Sequence, residues 1–179
     1  MENNHSNAAN YFKFFAMIVT AMVAMFFLMY TNSYQILDHA WFSEERLFMT
    51  LIMGGSMMII MLAFMLQMYK NSKMNIAIFL GGALLLAGSI WLSRSQATID
   101  DVDYMEGMIP HHSIAIMTSE RAGITDPRVQ KLAKAIMDAQ RKEIKEMEWL
   151  IHDIRENGIA ETEEEAKARA VPKFEPTPE

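Results

Sequence analysis

Residues 47–69, LFMTLIMGGSMMIIMLAFMLQMY, contain no charged side chain. Residues 74–92 also contain none, and residues 11–30 contain only Lys13. Each stretch is long enough to form a helix that crosses the hydrocarbon core, which takes roughly 20 residues, and the Leu, Ile, Phe and Val side chains in them favour insertion. The sequence therefore predicts three transmembrane helices, which form an anchor over residues 1–95.

The charges beside the spans predict the orientation of this anchor. The turn between the second and third spans carries Lys70 and Lys73, whereas the loop between the first and second is acidic. Because positively charged loops stay in the cytoplasm, the N-terminus should be cytoplasmic and everything after Leu92 should lie outside. Arg94 favours the opposite orientation. We expect a bacterial inner-membrane protein, held in the lipid bilayer, with its C-terminal domain in the periplasm.

The composition excludes several function classes. A net charge of -6 provides no basic face for phosphates and argues against a nucleic-acid partner. Without any Cys, the chain cannot form disulfides or thiolate metal sites. No nucleophilic triad, phosphate loop or pair of catalytic carboxylates is visible, so the sequence predicts that the protein is not an enzyme.

The C-terminal half is amphipathic and predicts two helices. The first should start at the acidic residues from Asp100 and run to about Ala122. The second is marked by Asp126 as an N-cap and by Pro127 in the first turn, and Gly158 should end it. The predicted fold is therefore all-α: three transmembrane helices followed by an extramembrane antiparallel helical hairpin.

The second of these helices carries one apolar stripe, interrupted by Gln140 and Glu143. Because a two-helix hairpin buries little core, we expect it to pack against a second copy, the membrane spans, or both, and a homodimer forming a four-helix bundle is the simplest solution. The hairpin domain should cover residues 96–160, and residues 161–179 should form a short helix and a disordered tail. The stripe consists of Val129, Leu132, Ala133, Ile136, Met147, Leu150, Ile151 and Ile154.

The most specific local signal is the segment MEGMIPHH at residues 105–112. On a helix, Met108 lies one turn from both His111 and His112, so a thioether and an imidazole can meet at one ion. This combination favours Cu(I) and, by extension, Ag(I). Because adjacent residues point about 100° apart on a helix, we expect one His to bind the ion and the other to orient the site or serve a facing subunit.

Pro110 affects whether this segment forms one continuous helix. It cannot donate a hydrogen bond to the carbonyl of Glu106, so it kinks a continuous helix at a point that often marks a site. Alternatively, Pro110 begins a separate helix in its first turn.

Residues 100–154 resemble the family catalogued as domain of unknown function 305, a group of ferritin-like helical bundles often linked to copper handling. The resemblance rests on the acidic start, on MIPHH at 108–112, on AIM at 115–117 and on the pattern at 139–147. It implies half of a ferritin-like four-helix bundle. Family members commonly hold two such hairpins, and the single copy here strengthens the dimer prediction. The resemblance implies an interior lined by Met108, His111, His112, Gln140, Glu143 and Met147.

Several of these residues have two interpretations. Gln140 and Glu143 could ligate the ion directly or hold the histidines by hydrogen bonds. His39, beside Asp38 in the outer loop, could approach the bundle, although nothing in the sequence requires it.

Methionine is abundant, with 18 in the chain, and rows of it follow the first and second spans. These rows could form a thioether ladder for soft ions. Methionine is also an ordinary apolar residue, and no ionisable group accompanies the rows as a transport path would usually require. The rows are Met22, Met25 and Met29 on the first span, and Met49, Met53, Met57, Met61, Met65 and Met68 on the second.

These observations leave competing functions. The first is a membrane-anchored periplasmic protein that binds Cu(I) or Ag(I) for metal tolerance, by sequestration or by hand-over to a metal efflux or chaperone partner. The alternative is a structural or partner-docking membrane protein that binds no metal. A ferritin-like oxidoreductase is the least favoured, because di-iron bundles use Glu-x-x-His pairs and the hairpin has none.

Overall fold

The computed structural model describes residues 2–32 and 41–176, and within them it contains six α-helices and no strand. One compact unit contains α1, α2 and α3, and the other contains α4, α5 and α6 together with residues 41–43. The predicted all-α class is therefore confirmed for this part of the chain. The helices are α1 (Glu2–Leu28, followed by a 3-10 turn at Met29–Asn32), α2 (Glu44–Phe64), α3 (Ser72–Ser95), α4 (Asp101–Arg121), α5 (Pro127–Asn157) and α6 (Glu163–Ala168).

Three of the described helices are long and apolar enough to cross a membrane. Their apolar windows are Ala9–Thr31, Glu44–Phe64 and Ser72–Ser95. Most side chains in these windows point outward, as expected of helices whose surroundings are lipid. Asp38 and His39 lie outside the described residues.

The second of these helices is shorter than its apolar sequence suggests. It ends at Phe64, although the uncharged run continues to Tyr69. The N–H of Met65 is shared between the carbonyls of Met61 and Leu62, at 3.0 and 3.1 Å, and Met68 donates to the carbonyl of Met65 at 2.9 Å. The chain therefore leaves the helix in tight turns, and Met68 does not lie on the helix that carries the other methionines of the row.

A polar cluster fixes this turn to α1. Tyr69 is buried, with its ring 5.0 Å from that of Tyr11 and 5.4 Å from that of Phe14. Asn75 donates to the carbonyl of Tyr69 at 2.8 Å and accepts from the hydroxyl of Tyr11 at 2.6 Å. These contacts pull Tyr69 inward, which explains why the helix ends before it.

Glycine lets α2 and α3 approach closely. A Cβ built on Gly55 would lie 2.9 Å from the backbone nitrogen of Leu86 and 3.0 Å from the carbonyl oxygen of Gly82. Backbone contacts this close are possible only because glycine has no side chain, and small residues allow the same close approach between other membrane helices.

The termini of the second unit's helices follow the sequence signals. Asp100 caps α4 by accepting from the N–H groups of Val102 and Asp103, both at 2.9 Å. Asp126 caps α5 ahead of Pro127, and Gly158 ends α5 with φ +79°. Because α4 is continuous through Pro110, the prediction of one helix is confirmed, and the alternative that a separate helix begins at Pro110 is wrong.

The core of the second unit joins α4 to α5, and we call these two helices the α4–α5 pair. Six residues form its buried centre, and residues 122–126 connect the two helices. Not all of the predicted stripe is covered, since Val129, Leu132 and Ile136 remain exposed. The reason is that α4 lies against the neighbouring face of α5, which carries Ala133. The six buried residues are Met105, Ile109, Ile116, Ile144, Met147 and Ile151.

The chain after α5 returns toward the pair. Thr162 caps α6 by accepting from the N–H of Glu165 at 3.2 Å. Beyond α6, Arg169 donates to the carboxylate of Asp153 at 2.8 Å and to the carbonyl of Gly158 at 3.1 Å. The segment after α5 helps to line a cavity of about 460 Å³, and Met105 and Met147 lie on its other walls.

Candidate metal centre

His112 of α4 contacts Glu143 of α5. Its Nε2 lies 3.2 Å from Oε2 of Glu143, and its side chain is only 13% exposed, against 48% for Glu143. When Nε2 carries the proton and donates it to the carboxylate, the lone pair of a neutral imidazole is on Nδ1. That Nδ1 is buried and has no hydrogen-bond partner.

A second unpartnered atom lies on the facing helix. Oε1 of Gln140 is buried without a hydrogen bond, one turn before Glu143 on α5. A buried acceptor left unsatisfied costs about 1–3 kcal/mol. The two unpartnered atoms therefore lie on facing helices, one on His112 itself and one on Gln140, a turn away from its contact Glu143.

Thioether groups lie on the other side of the same contact. Met108 precedes His112 by one turn of α4 and packs against the core of the α4–α5 pair. Met147 follows Glu143 by one turn of α5 and is buried in that core. The pair therefore supplies an imidazole nitrogen, an amide oxygen and two thioether sulfurs within one turn of a single contact.

The predicted site residues do not all enter this arrangement. Met108, His112, Gln140 and Met147 are at least partly buried, and the half-exposed Glu143 reaches His112. His111 is exposed, with its ring centroid 6.3 Å from that of His112 and the two planes at 80°. The structure thus separates the adjacent histidines, as their angular spacing on a helix predicts.

The donor set decides which ions fit. In the described part of the chain, no group of three or more His, Cys, Asp or Glu residues could hold a metal ion. The residues near His112 instead combine imidazole with thioether, which suits soft ions such as Cu(I) and Ag(I).

The protonation state of His112 also suits a ligand. Burial of the imidazole lowers the pKa of His112 below its ordinary value of 6.5, the carboxylate of Glu143 acts in the opposite direction, and His111 lowers the pKa further. The neutral form, which is the one that can bind a metal ion, therefore persists to lower pH than in a solvated histidine.

We expect this balance to be visible by NMR. In the wild-type protein His112 should titrate below pH 6.5. Glu143→Gln should lower the pKa of His112 further, whereas His111→Gln should raise it, because these substitutions remove opposing influences. Since the unfolded chain then takes up a proton that the folded chain rejects, stability should fall as the pH drops from about 6.5 through the folded-state pKa. A His112 resonance that titrates above pH 6.5 would contradict the assignment.

Three residues of the second unit form contacts that sequence patterns did not predict. Trp41, after the first span, packs against the core of the α4–α5 pair, and its Nε1 is buried without a partner. The guanidinium of Arg155 lies 5.8 Å from the centre of the Trp41 ring and forms an ion pair with the buried Glu106. Neither periodicity nor a motif points to Trp41.

A cavity borders one of these two thioethers, that of Met147. It is lined by Met105 and Met147 together with the acidic residues Asp101 and Asp153. Asp153 is paired with Arg169. Met108 and His112 are not among the residues that line the cavity.

The chain is similar to known proteins over its C-terminal half and, in one case, over a longer stretch. Residues 100–175 match the model of a family described as a domain of unknown function, DUF305. The chain is also 34% identical over 108 residues to an uncharacterized protein of Acanthamoeba polyphaga mimivirus, covering 59% of this chain and 69% of that protein. No solved structure matches the chain.

Proposed function

This chain belongs to the DUF305 family, and from that premise we propose that it is a membrane-anchored protein that binds a soft monovalent metal ion, Cu(I) or Ag(I), on its α4–α5 pair. His112 would bind through Nδ1, and Met108 and Met147 would supply sulfur. Glu143 would hold the imidazole in the required tautomer, the role that carboxylates play beside many metal-binding histidines. Gln140 would complete or support the site.

One observation carries this proposal. Nδ1 of His112 and Oε1 of Gln140 are both buried and both lack a hydrogen bond. Buried polar atoms in folded proteins are nearly always paired, so two unpaired acceptors on facing helices call for a partner. Both atoms are acceptors, the kind of group that a bound cation satisfies.

The anchor suggests how the ion is used. With Lys70 and Lys73 in the cytoplasm, the α4–α5 pair faces the periplasm of a bacterial inner membrane. A soft-ion site there serves metal tolerance by sequestration, or by hand-over to a metal efflux or chaperone partner. The role proposed for the site is binding and not catalysis.

A homodimer completes the proposal. Val129, Leu132 and Ile136 form an exposed apolar row on α5, with Leu132 60% exposed. Their spacing places them on one face of the helix, and the same face carries Glu143 about two to four turns further along. A second copy packed on this face would bury the row, form a four-helix bundle and bring its own His111 or His112 toward the open side of the site.

The proposal is tested by titrating the full-length protein in detergent with Cu(I) under a reductant and, separately, with Zn(II). We expect Cu(I) to bind much more tightly than Zn(II), because the donors include thioethers. Met108→Leu together with Met147→Leu should weaken Cu(I) binding by tenfold or more, which corresponds to about 1.4 kcal/mol, and should leave Zn(II) binding unchanged.

The matched control is Met17→Leu, which changes an exposed methionine of α1. Equal affinities for Cu(I) and Zn(II), or Cu(I) binding that is the same in the double variant and the control, would contradict the proposal. A protein that takes up no metal and has undiminished thermal stability would instead favour the partner-docking alternative.

A further inference from the structure

The methionines of the membrane unit are not evenly distributed. Five of them are spaced four residues apart, four within α2 and the fifth directly after it. This spacing places neighbours within the helix about one turn apart. Methionine fills irregular gaps in many apolar cores, so this row alone does not make a site. The five are Met49, Met53, Met57, Met61 and Met65.

A second helix adds a sulfur to this row at one level. Gly54 of α2 faces Met22 of α1, and a Cβ built on Gly54 would collide with Sδ of Met22 and lie 2.7 Å from its Cε. The thioether of Met22 therefore occupies the space that a side chain at position 54 would fill. We call this place the Gly54 notch.

Two further thioethers flank the notch. Met57 and Met58 follow Gly54 by three and four residues, which places them one turn away on the helix surface. Met22, Met57 and Met58 are all partly buried and pack against the same core cluster of the membrane unit. Met22, Met57 and Met58 thus bring thioether side chains from two helices to within about one turn of Gly54, and the Cβ of Met58 also lies 3.3 Å from the position of a Cβ built on Gly82 of α3.

We infer that the Gly54 notch is a second binding site for a soft monovalent cation, with Met22, Met57 and Met58 as its ligands. Three neutral thioethers select Cu(I) or Ag(I) and offer little to harder ions. Neighbouring polar groups do not compete, because the hydroxyl of Ser56 donates to the carbonyl of Ile52 at 2.9 Å and that of Thr50 to the carbonyl of Arg46 at 2.8 Å.

This site is independent of the one on the α4–α5 pair, since its ligands lie in the membrane unit. It also gives a use to the rest of the row. Met61 follows Met57 by one turn, about 6 Å along the axis of α2, and Met65 comes directly after the end of this helix. Weak, repeated sites of this kind allow an ion to move between positions.

The experiment counts Ag(I) bound to the full-length protein in detergent, using Ag(I) because it needs no reductant. The background variant carries Met108→Leu, His112→Ala and Met147→Leu, which removes the ligands of the α4–α5 pair. In this background we expect one equivalent of Ag(I) per chain, with only sulfur in its first shell by X-ray absorption. Adding Met22→Leu, Met57→Leu and Met58→Leu should abolish that equivalent.

The control adds Met17→Leu, Met68→Leu and Met74→Leu to the same background, because these three methionines are exposed. It should keep the equivalent. An equal amount of bound Ag(I) in both variants, no bound Ag(I) in the background itself, or nitrogen in the first shell would overturn the inference.

A milder pair of variants covers the case in which the triple variant does not fold. Gly54→Ala pushes the thioether of Met22 aside, a shift that its flexible end can make, whereas Gly81→Ala meets nothing within 4 Å. We expect Gly54→Ala to weaken Ag(I) binding in the background variant by at least tenfold and Gly81→Ala to leave it unchanged. Equal affinities in the two variants would overturn the inference as well.

Discussion

Replacing His112 by Ala should weaken Cu(I) binding at the α4–α5 pair by more than about 100-fold, beyond the 10–100-fold typical of a lost supporting partner. The substitution removes the buried Nδ1 that faces the interior and leaves the carboxylate of Glu143 without its contact. Competition with a Cu(I) chelator measures the change.

His111→Ala is the matched control for this prediction. The two histidines are adjacent, but His111 is exposed while His112 is mostly buried. We therefore expect His111→Ala to change Cu(I) affinity much less than His112→Ala in a monomeric preparation. Equal losses in the two variants would show that the separation of the two rings does not determine which histidine binds the ion.

The second large effect is on stability. Ile109 is fully buried in the core of the α4–α5 pair, and Ile109→Ala should lower the free energy of unfolding by about 2–5 kcal/mol, through lost burial and the cavity left behind. Fluorescence of Trp41, which packs against this core, reports unfolding of the second unit.

Ile159→Ala is the comparison for Ile109→Ala, because Ile159 is 55% exposed. It should change the free energy of unfolding by less than about 0.5 kcal/mol, as surface substitutions usually do. A similar loss in both variants would mean that Ile109 does not lie in the core.

Much of the helical structure was predictable from local chemistry. Asp100, Asp126 and Thr162 all cap helices as their residue types suggest, and uncharged runs of about 20 residues leave few alternatives to a spanning helix. The end of α2 was not predictable, because the sequence stays apolar to Tyr69. Only the contacts of Tyr69 with residues distant in the chain end that helix early.

The placement of the candidate residues was predictable only in part. Helical spacing places Met108 one turn from both histidines, but it cannot say which of them faces α5. That choice depends on the rotation of α4 against α5, which buries Ile109 and Ile116 and therefore turns His112 inward and His111 outward. Trp41 lies outside any helix, where sequence periodicity carries no information on the position of a side chain.

Nitrogen NMR of histidine-labelled full-length protein can show whether Nδ1 of His112 binds a soft metal ion. On addition of one equivalent of Ag(I), the Nδ1 resonance of His112 should shift and show coupling to silver, while its Nε2 keeps its proton toward Glu143. An Nδ1 resonance that stays unchanged while Ag(I) binds would contradict the account.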